Sequence, residues 1–198
     1  GCDSAAAPKT SGGTMSVEHV AVYRSGPPAP SIPTIAGVAA AGSTLVADSG
    51  REVPVTYQWR ADGVAVAGAT GASFTVPGTA VGKRISVTVS VLDGSDAATS
   101  LPTAPVTAGT LGAVTPTISG TARIGSTLTA SPGTWTPSPV TLTYRWKANG
   151  VDIAGATGKT MKVATAQLGK RITVTVTGNK VGFFSSQRTS AATAIVVR

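Results

Sequence analysis

The sequence is poor in the residues that catalysis, metal binding and covalent stapling need. Its 198 residues hold one cysteine and one histidine. A lone Cys2 excludes any disulfide within the chain, so the cores must hold by packing alone. A lone His19 excludes a histidine cluster for a transition metal, and its place near the N-terminus, outside the repeats described below, excludes a histidine-based triad within either of them. Acids are scarce too, with 8 Asp and Glu against 16 Lys and Arg. Asp152 is the only carboxylate side chain between residues 113 and 198, which cannot house paired-carboxylate chemistry. Asp93 and Asp96, in the run DGSD, read as a solvated turn before a Ca²⁺ site. No Gly-rich phosphate cradle leads from a strand into a helix. The expectation is therefore a protein that is not an enzyme and uses no metal or cofactor. No apolar run approaches the roughly 20 residues of a membrane span, so no transmembrane segment is expected. The N-terminus lacks the basic start and apolar core of an export signal, although removal of a signal would leave the same sequence.

Val, Ala, Thr and Ser dominate what is present, while Leu, Met, Glu and Lys are few, which favours strands over helices. The strongest feature is an internal repeat. Tyr57, Trp59, Gly63, Gly68 and Gly82-Lys83-Arg84-Ile85 recur 87 residues later as Tyr144, Trp146, Gly150, Gly155 and Gly169-Lys170-Arg171-Ile172. Upstream, Pro33-Thr34-Ile35 and Gly42-Ser43-Thr44-Leu45 recur at an offset of 83, as Pro116-Thr117-Ile118 and Gly125-Ser126-Thr127-Leu128. Four extra residues therefore sit in the Pro/Gly-rich stretch SPGTWTPSPV of the second copy, as expected of a surface loop. Repeats of this length suit self-contained sandwich domains rather than solenoid units.

Within the second copy, Thr127-Leu128-Thr129, Leu142 to Trp146, Val151-Asp152-Ile153, Thr160 to Val163 and Ile172 to Val176 alternate apolar and polar residues, the pattern of half-buried strands. Ala61-Asp62-Gly63 and Ala148-Asn149-Gly150 supply hairpin turns. The fold class expected from this spacing is all-β: two tandem antiparallel β-sandwiches of about seven strands each, with an extended N-terminal segment. The divisions are residues 1–30 for that segment, with one strand at Val20-Ala21-Val22, 31–108 for the first sandwich and 113–198 for the second. The joint at 101–117 reads as a short connection with a limited hinge. The N-terminal strand closes an upstream domain of a longer array or is donated to another subunit's sheet edge.

The Tyr-x-Trp followed by an Asp/Asn-Gly hairpin resembles the centre of immunoglobulin-like domains without their usual Cys pair. That resemblance implies core roles for Tyr57, Trp59, Tyr144 and Trp146, with Leu45 and Val87, and Leu128 and Val174, filling the space around each Trp. The wider set G-S-T-L-x-A, S-P-G-T-W, T-Y-x-W, G-A-T-G and G-K-R-I resembles the tandem bacterial Ig-like repeats of actinobacterial secreted and surface proteins, over about residues 33–106 and 116–197. This implies an extracellular or cell-surface module. Gly1-Cys2-Asp3-Ser4 resembles a bacterial lipoprotein cleavage region, which implies lipidation of Cys2; the residue Gly1 ahead of it departs from that pattern, and an incidental thiol in a tail is the competing reading.

Charge is lopsided. Residues 31–112 carry four basic and five acidic side chains, and residues 113–198 carry ten and one. A field of that kind draws polyanions without selecting among them. The candidate contact residues are Trp135, Arg145, Lys147, Lys159, Lys162, Lys180 and Arg188, with anionic cell-wall polymers or glycans as partners and no specific nucleic acid. Trp135, in the insertion, reads either as an exposed platform for a sugar ring or as a plug folded over one end of the sandwich. The function expected is a non-enzymatic extracellular structural or adhesive module of a bacterial surface protein. Two alternatives stand: an Ig-like accessory protein of a phage virion, and accessory domains of a secreted glycan-active enzyme.

Overall fold

The computed structural model describes residues 31–92, 94 and 96–198; Cys2, His19, Val20-Ala21-Val22 and Asp93 lie outside the described residues. The first copy of the repeat forms strands β1 (Thr34–Ala36), β2 (Thr44–Asp48), β3 (Val55–Ala61), β4 (Val64–Ala65), β5 (Ser73–Thr75), β6 (Ile85–Val91) and β7 (Ala97–Thr99). They make one sheet in the order β1-β2-β5 and another in the order β4-β3-β6-β7. The second copy forms β8 (Gly112–Ala113), β9 (Thr117–Ser119), β10 (Thr127–Ser131), β11 (Trp135–Thr136), β12 (Thr141–Ala148), β13 (Val151–Asp152), β14 (Thr160–Lys162), β15 (Ile172–Asn179) and β16 (Ser186–Thr189). Its sheets are β9-β10-β14 and β13-β12-β15-β16, with β8 and β11 as an added pair. The pairs among these strands are antiparallel, single parallel bridges join Ala40 to Thr107 and Arg123 to Val197, and the 3-over-4 layering twice over is an immunoglobulin-like arrangement.

Alternation explains why each sheet has one face to bury. In β2, Leu45 and Ala47 point inward between exposed Thr44, Val46 and Asp48. Each copy then closes around a core of its own: Leu45, Trp59, Val76, Ile85, Val87 and Val89 in the first, and Leu128, Trp146, Val163, Ile172, Val174 and Val176 in the second. Trp59 is fully buried, opposite Val87 on the neighbouring strand, and its indole ring stacks on Phe74 at 5.3 Å. Trp146 is its twin opposite Val174, with Met161 in place of the phenylalanine. Burial is tolerable because each indole N–H donates to a loop carbonyl, that of Gly71 at 2.8 Å and that of Gly158 at 2.9 Å. Tyr57 and Tyr144 sit at the rim, half-buried and packed against these clusters.

The Lys-Arg pairs belong to the scaffold. Asp62 and Asn149 adopt left-handed φ of 49° and 45° at their hairpin tips. Their side-chain oxygens accept the backbone N–H of Arg84 at 2.9 Å and of Arg171 at 2.8 Å. Each arginine side chain then donates to the last segment of its own sandwich, at the carbonyls of Thr103 and Thr193.

Candidate functional site

Two hairpins that should match reveal where the copies diverge. The hydroxyls of Thr88 and Thr99 meet at 2.9 Å across β6 and β7, and those of Thr175 and Thr189 do the same across β15 and β16. The first pair is 11 residues apart in sequence and the second 14, so the second copy's hairpin is three residues longer. Its tip contains Lys180-Val181-Gly182-Phe183-Phe184. That extension and the SPGTWTPSPV insertion both lie where the two sandwiches meet.

The joint is built from backbone approaching backbone. Thr107 is still bonded to the first sandwich, donating to the Ala39 carbonyl at 2.9 Å and accepting from Ala41 N–H at 3.0 Å. Two residues later Gly109 is bonded to the second, donating to the Gly182 carbonyl and accepting from Phe184 N–H, each at 2.9 Å. Leu111 is already a core residue of the second copy. The connection has no slack to serve as a tether. Beside it, Gly78 in the first sandwich lies so close to Val181 and Gly182 that an added Cβ would overlap the Val181 carbonyl oxygen and come within 2.8 Å of its carbon. Gly109 is equally confined: a Cβ there would overlap the Ala41 oxygen and reach 2.6 Å from the Phe183 ring. The ring of Phe183 rests over Gly42, where a Cβ would stand 3.0 Å from it. A groove of about 430 Å³ runs alongside, lined by Gly42, Ser43, Gly109, Thr136, Pro137 and Phe183 among others.

The sequence-predicted contact residues do not form one patch. Arg145 and Lys147 alternate on the outer face of the four-stranded sheet, and both are ion-paired with Asp152 on β13, at 3.2 and 3.5 Å. Lys162 lies on the outer face of the opposite sheet, and Lys159 is exposed where the chain enters β14. Lys180 and Arg188 are engaged at the joint. The Lys180 ammonium donates to the Pro139 carbonyl at 2.8 Å, tying the longer hairpin to the insertion, and stands 5.9 Å from the Phe183 ring centroid. Arg188 donates to the carbonyl of Ala113 on β8 at 3.4 Å.

Trp135 needs a correction as an exposed platform for a sugar. It is only 6% exposed, and its indole N–H is held by the Pro132 carbonyl at 3.0 Å. It lies over Gly178, whose missing side chain leaves room for the ring; the first copy has Val91 at that place and no tryptophan above it. Asp96 is ion-paired with Arg51 at 2.7 Å.

The residues that sequence reasoning missed are Gly78, Gly109, Gly182 and Phe183. A signal for them existed. The offset between copies is 87 at Ile85 and Ile172 but 90 at Ser100 and Ser190, where both serines accept a backbone N–H from the facing strand, so an insertion lies between.

No family model and no curated protein matches the chain. Solved structures similar to it include three N-terminal domains of the bacteriophage RB49 highly immunogenic outer capsid protein, at 20% identity over 83% of this chain with a TM-score of 0.33. The chain spans 59% of the length of that structure. Tandem Ig repeats of Dlar match at 14% identity over 84% of this chain and 98% of theirs, with a TM-score of 0.29. The titin domains z1z2, solved in complex with telethonin, match at 16% identity over 85% of this chain and 98% of theirs, also at 0.29. The sheet order of the chain itself makes it an all-β protein of tandem immunoglobulin-like sandwiches.

Proposed function

We propose that the chain is a non-enzymatic spacer module of an extracellular protein, holding two sandwiches in a fixed relation so that whatever is attached stands off at a defined distance and angle. The carrying observation is the joint: one residue, Ala108, separates the last hydrogen bond to the first sandwich from the first bond to the second. Interfaces between domains of one chain are mobile by default unless something fixes them. Here Gly78 and Gly109 allow backbones to touch and Phe183 covers the contact. Backbone ¹⁵N relaxation on the whole chain tests the reading: both sandwiches should report one rotational correlation time along one diffusion frame. Two separate, shorter times would refute it.

Contact with anionic polymers is a second reading, supported by the adjacency of Arg145 and Lys147, both more than 30% exposed at the side chain. Asp152 offsets part of their charge, so retention on polyphosphate should be weak and vanish by moderate salt. Retention that ignored salt, or that survived Arg145→Ala with Lys147→Ala, would refute it.

A further inference from the structure

We infer that the joint is directional: it is a recognition surface between one socket and one plug, each present once among the described residues, so a first-copy sandwich can clamp only a second-copy sandwich placed after it. The inference rests on the spacer reading and adds a partner rule to it. The socket is Ala41, Gly42 and Gly78 at the far end of the first sandwich, with Gly109 of the connection beside them. The plug is the Val181-Gly182-Phe183 tip, with Lys180 bracing it against Pro139.

The second sandwich offers no such socket at its own far end. The residue there corresponding to Gly78 is Thr165, at the same place in the short 3-10 turn before the Gly-Lys-Arg corner. A Cβ at Gly78 would overlap the Val181 oxygen and crowd Gly182 Cα at 3.3 Å, and threonine adds two further heavy atoms to that Cβ. The obstacle is backbone on both sides, which cannot rotate away as a side chain can. Where Gly42 is preceded by Ala40 and Ala41, Gly125 is preceded by Arg123 and Ile124.

The first sandwich offers no plug either. Its hairpin between β6 and β7 is three residues shorter and has no aromatic residue. Its Asp96 is ion-paired with Arg51 of its own sandwich. Gly182 has a left-handed φ of 76° with its Cα against the Gly78 backbone, so the plug needs glycine at that place for conformation and for closeness. The two insertions that distinguish the copies thus serve one purpose: they make the copies complementary instead of equivalent. Any like sandwich added after the second would hang by its linker alone.

A tandem of the described chain tests this, with residues 31–198 repeated after Arg198 through a second copy of Thr107 to Gly112. The junction then asks a second-copy sandwich to hold a first-copy one. Spin labels go on exposed, corresponding positions, Val64→Cys and Val151→Cys, one pair at a time, with Cys2→Ser. Pulsed dipolar spectroscopy should give a narrow distance distribution within each native pair and one at least twice as broad across the new junction. A narrow distribution across the new junction would overturn directionality while leaving the spacer reading intact. Broad distributions within the native pairs would overturn the spacer reading itself. Gly78→Thr, which installs the second copy's residue, should broaden the native pair while circular dichroism stays unchanged; a native pair still narrow in a folded Gly78→Thr chain would also overturn the socket.

Discussion

Gly178→Ala sets two effects of opposite sign against each other, and the structure decides between them. Gly178 lies inside β15, paired with Leu142 and Ser186, and its backbone is not in the left-handed region. Judged by conformational entropy alone, alanine should stabilise such a strand position by about 0.5–1 kcal/mol. But an added methyl would overlap the Trp135 ring at two carbons and sit 3.1 Å from the Val140 side chain. Trp135 has little freedom to retreat, since its N–H is held by Pro132 and its backbone pairs with Ala113. Overpacking of this kind costs about 1–3 kcal/mol. With two ring carbons overlapped, the cost falls in the upper part of that range and wins, for a net loss of about 1–2 kcal/mol, equivalent to roughly 4–16 °C in Tm for a domain of this size. Scanning calorimetry on the whole chain should show the transition of the second sandwich moving down while that of the first stays in place. Combining Gly178→Ala with Trp135→Leu should cost at least about 1 kcal/mol less than the two single changes together. A neutral or stabilised Gly178→Ala would mean that the Trp135 ring is not seated over this strand, and its reading as a buried plug would fall.

Trp146→Ala should cost about 3–5 kcal/mol and unfold or nearly unfold the second sandwich, read by urea denaturation; a folded variant of wild-type stability would refute its core role. Asn149→Ala removes both the acceptor for Arg171 N–H and a residue tolerant of left-handed φ, and should cost about 1–2 kcal/mol by the same measurement, whereas Asn149→Asp, copying the first sandwich, should be close to neutral. Asp152→Asn breaks two solvent-exposed ion pairs and should change stability by less than about 1 kcal/mol, because water screens both. Phe183→Ala should speed hydrogen exchange at the Gly109 and Phe184 amides about tenfold or more, with the core amides of β6 and β15 unaffected.

Much of this architecture can be read without coordinates, for definite physical reasons. Period-two alternation has only one way to place Leu128, Trp146, Val174 and Val176 on a common side, so the buried faces follow from it. Asp62-Gly63 and Asn149-Gly150 announce their hairpins because few other residues accept positive φ. The role of Tyr57 and Tyr144 was legible only in part: alternation gives their side of the sheet, but not that the sheet ends nearby and leaves them at the rim. Trp135 was less legible still, because nothing local distinguishes a loop tryptophan that faces solvent from one that lies over a glycine more than 40 residues away. The basic residues illustrate the same limit. Ten cations in one segment suggest a field, but only the sheet order shows Arg145 and Lys147 on one face, Lys162 on the opposite one, and Lys180 and Arg188 turned to the joint.

The sequence by itself determined that the chain is all-β, that a sandwich unit is written twice, and which tryptophans fill the two cores, since these depend on local periodicity and on residues that repeat in place. Only the tertiary structure decided where the differences between the copies lie and what they touch. Gly78, Gly109 and Gly182 are indistinguishable from turn glycines until another backbone is seen lying against them, and Phe183 is one more apolar residue in a loop until its ring is found over Gly42. Contacts between sandwiches join residues far apart in the chain, and no local pattern encodes which surfaces will meet.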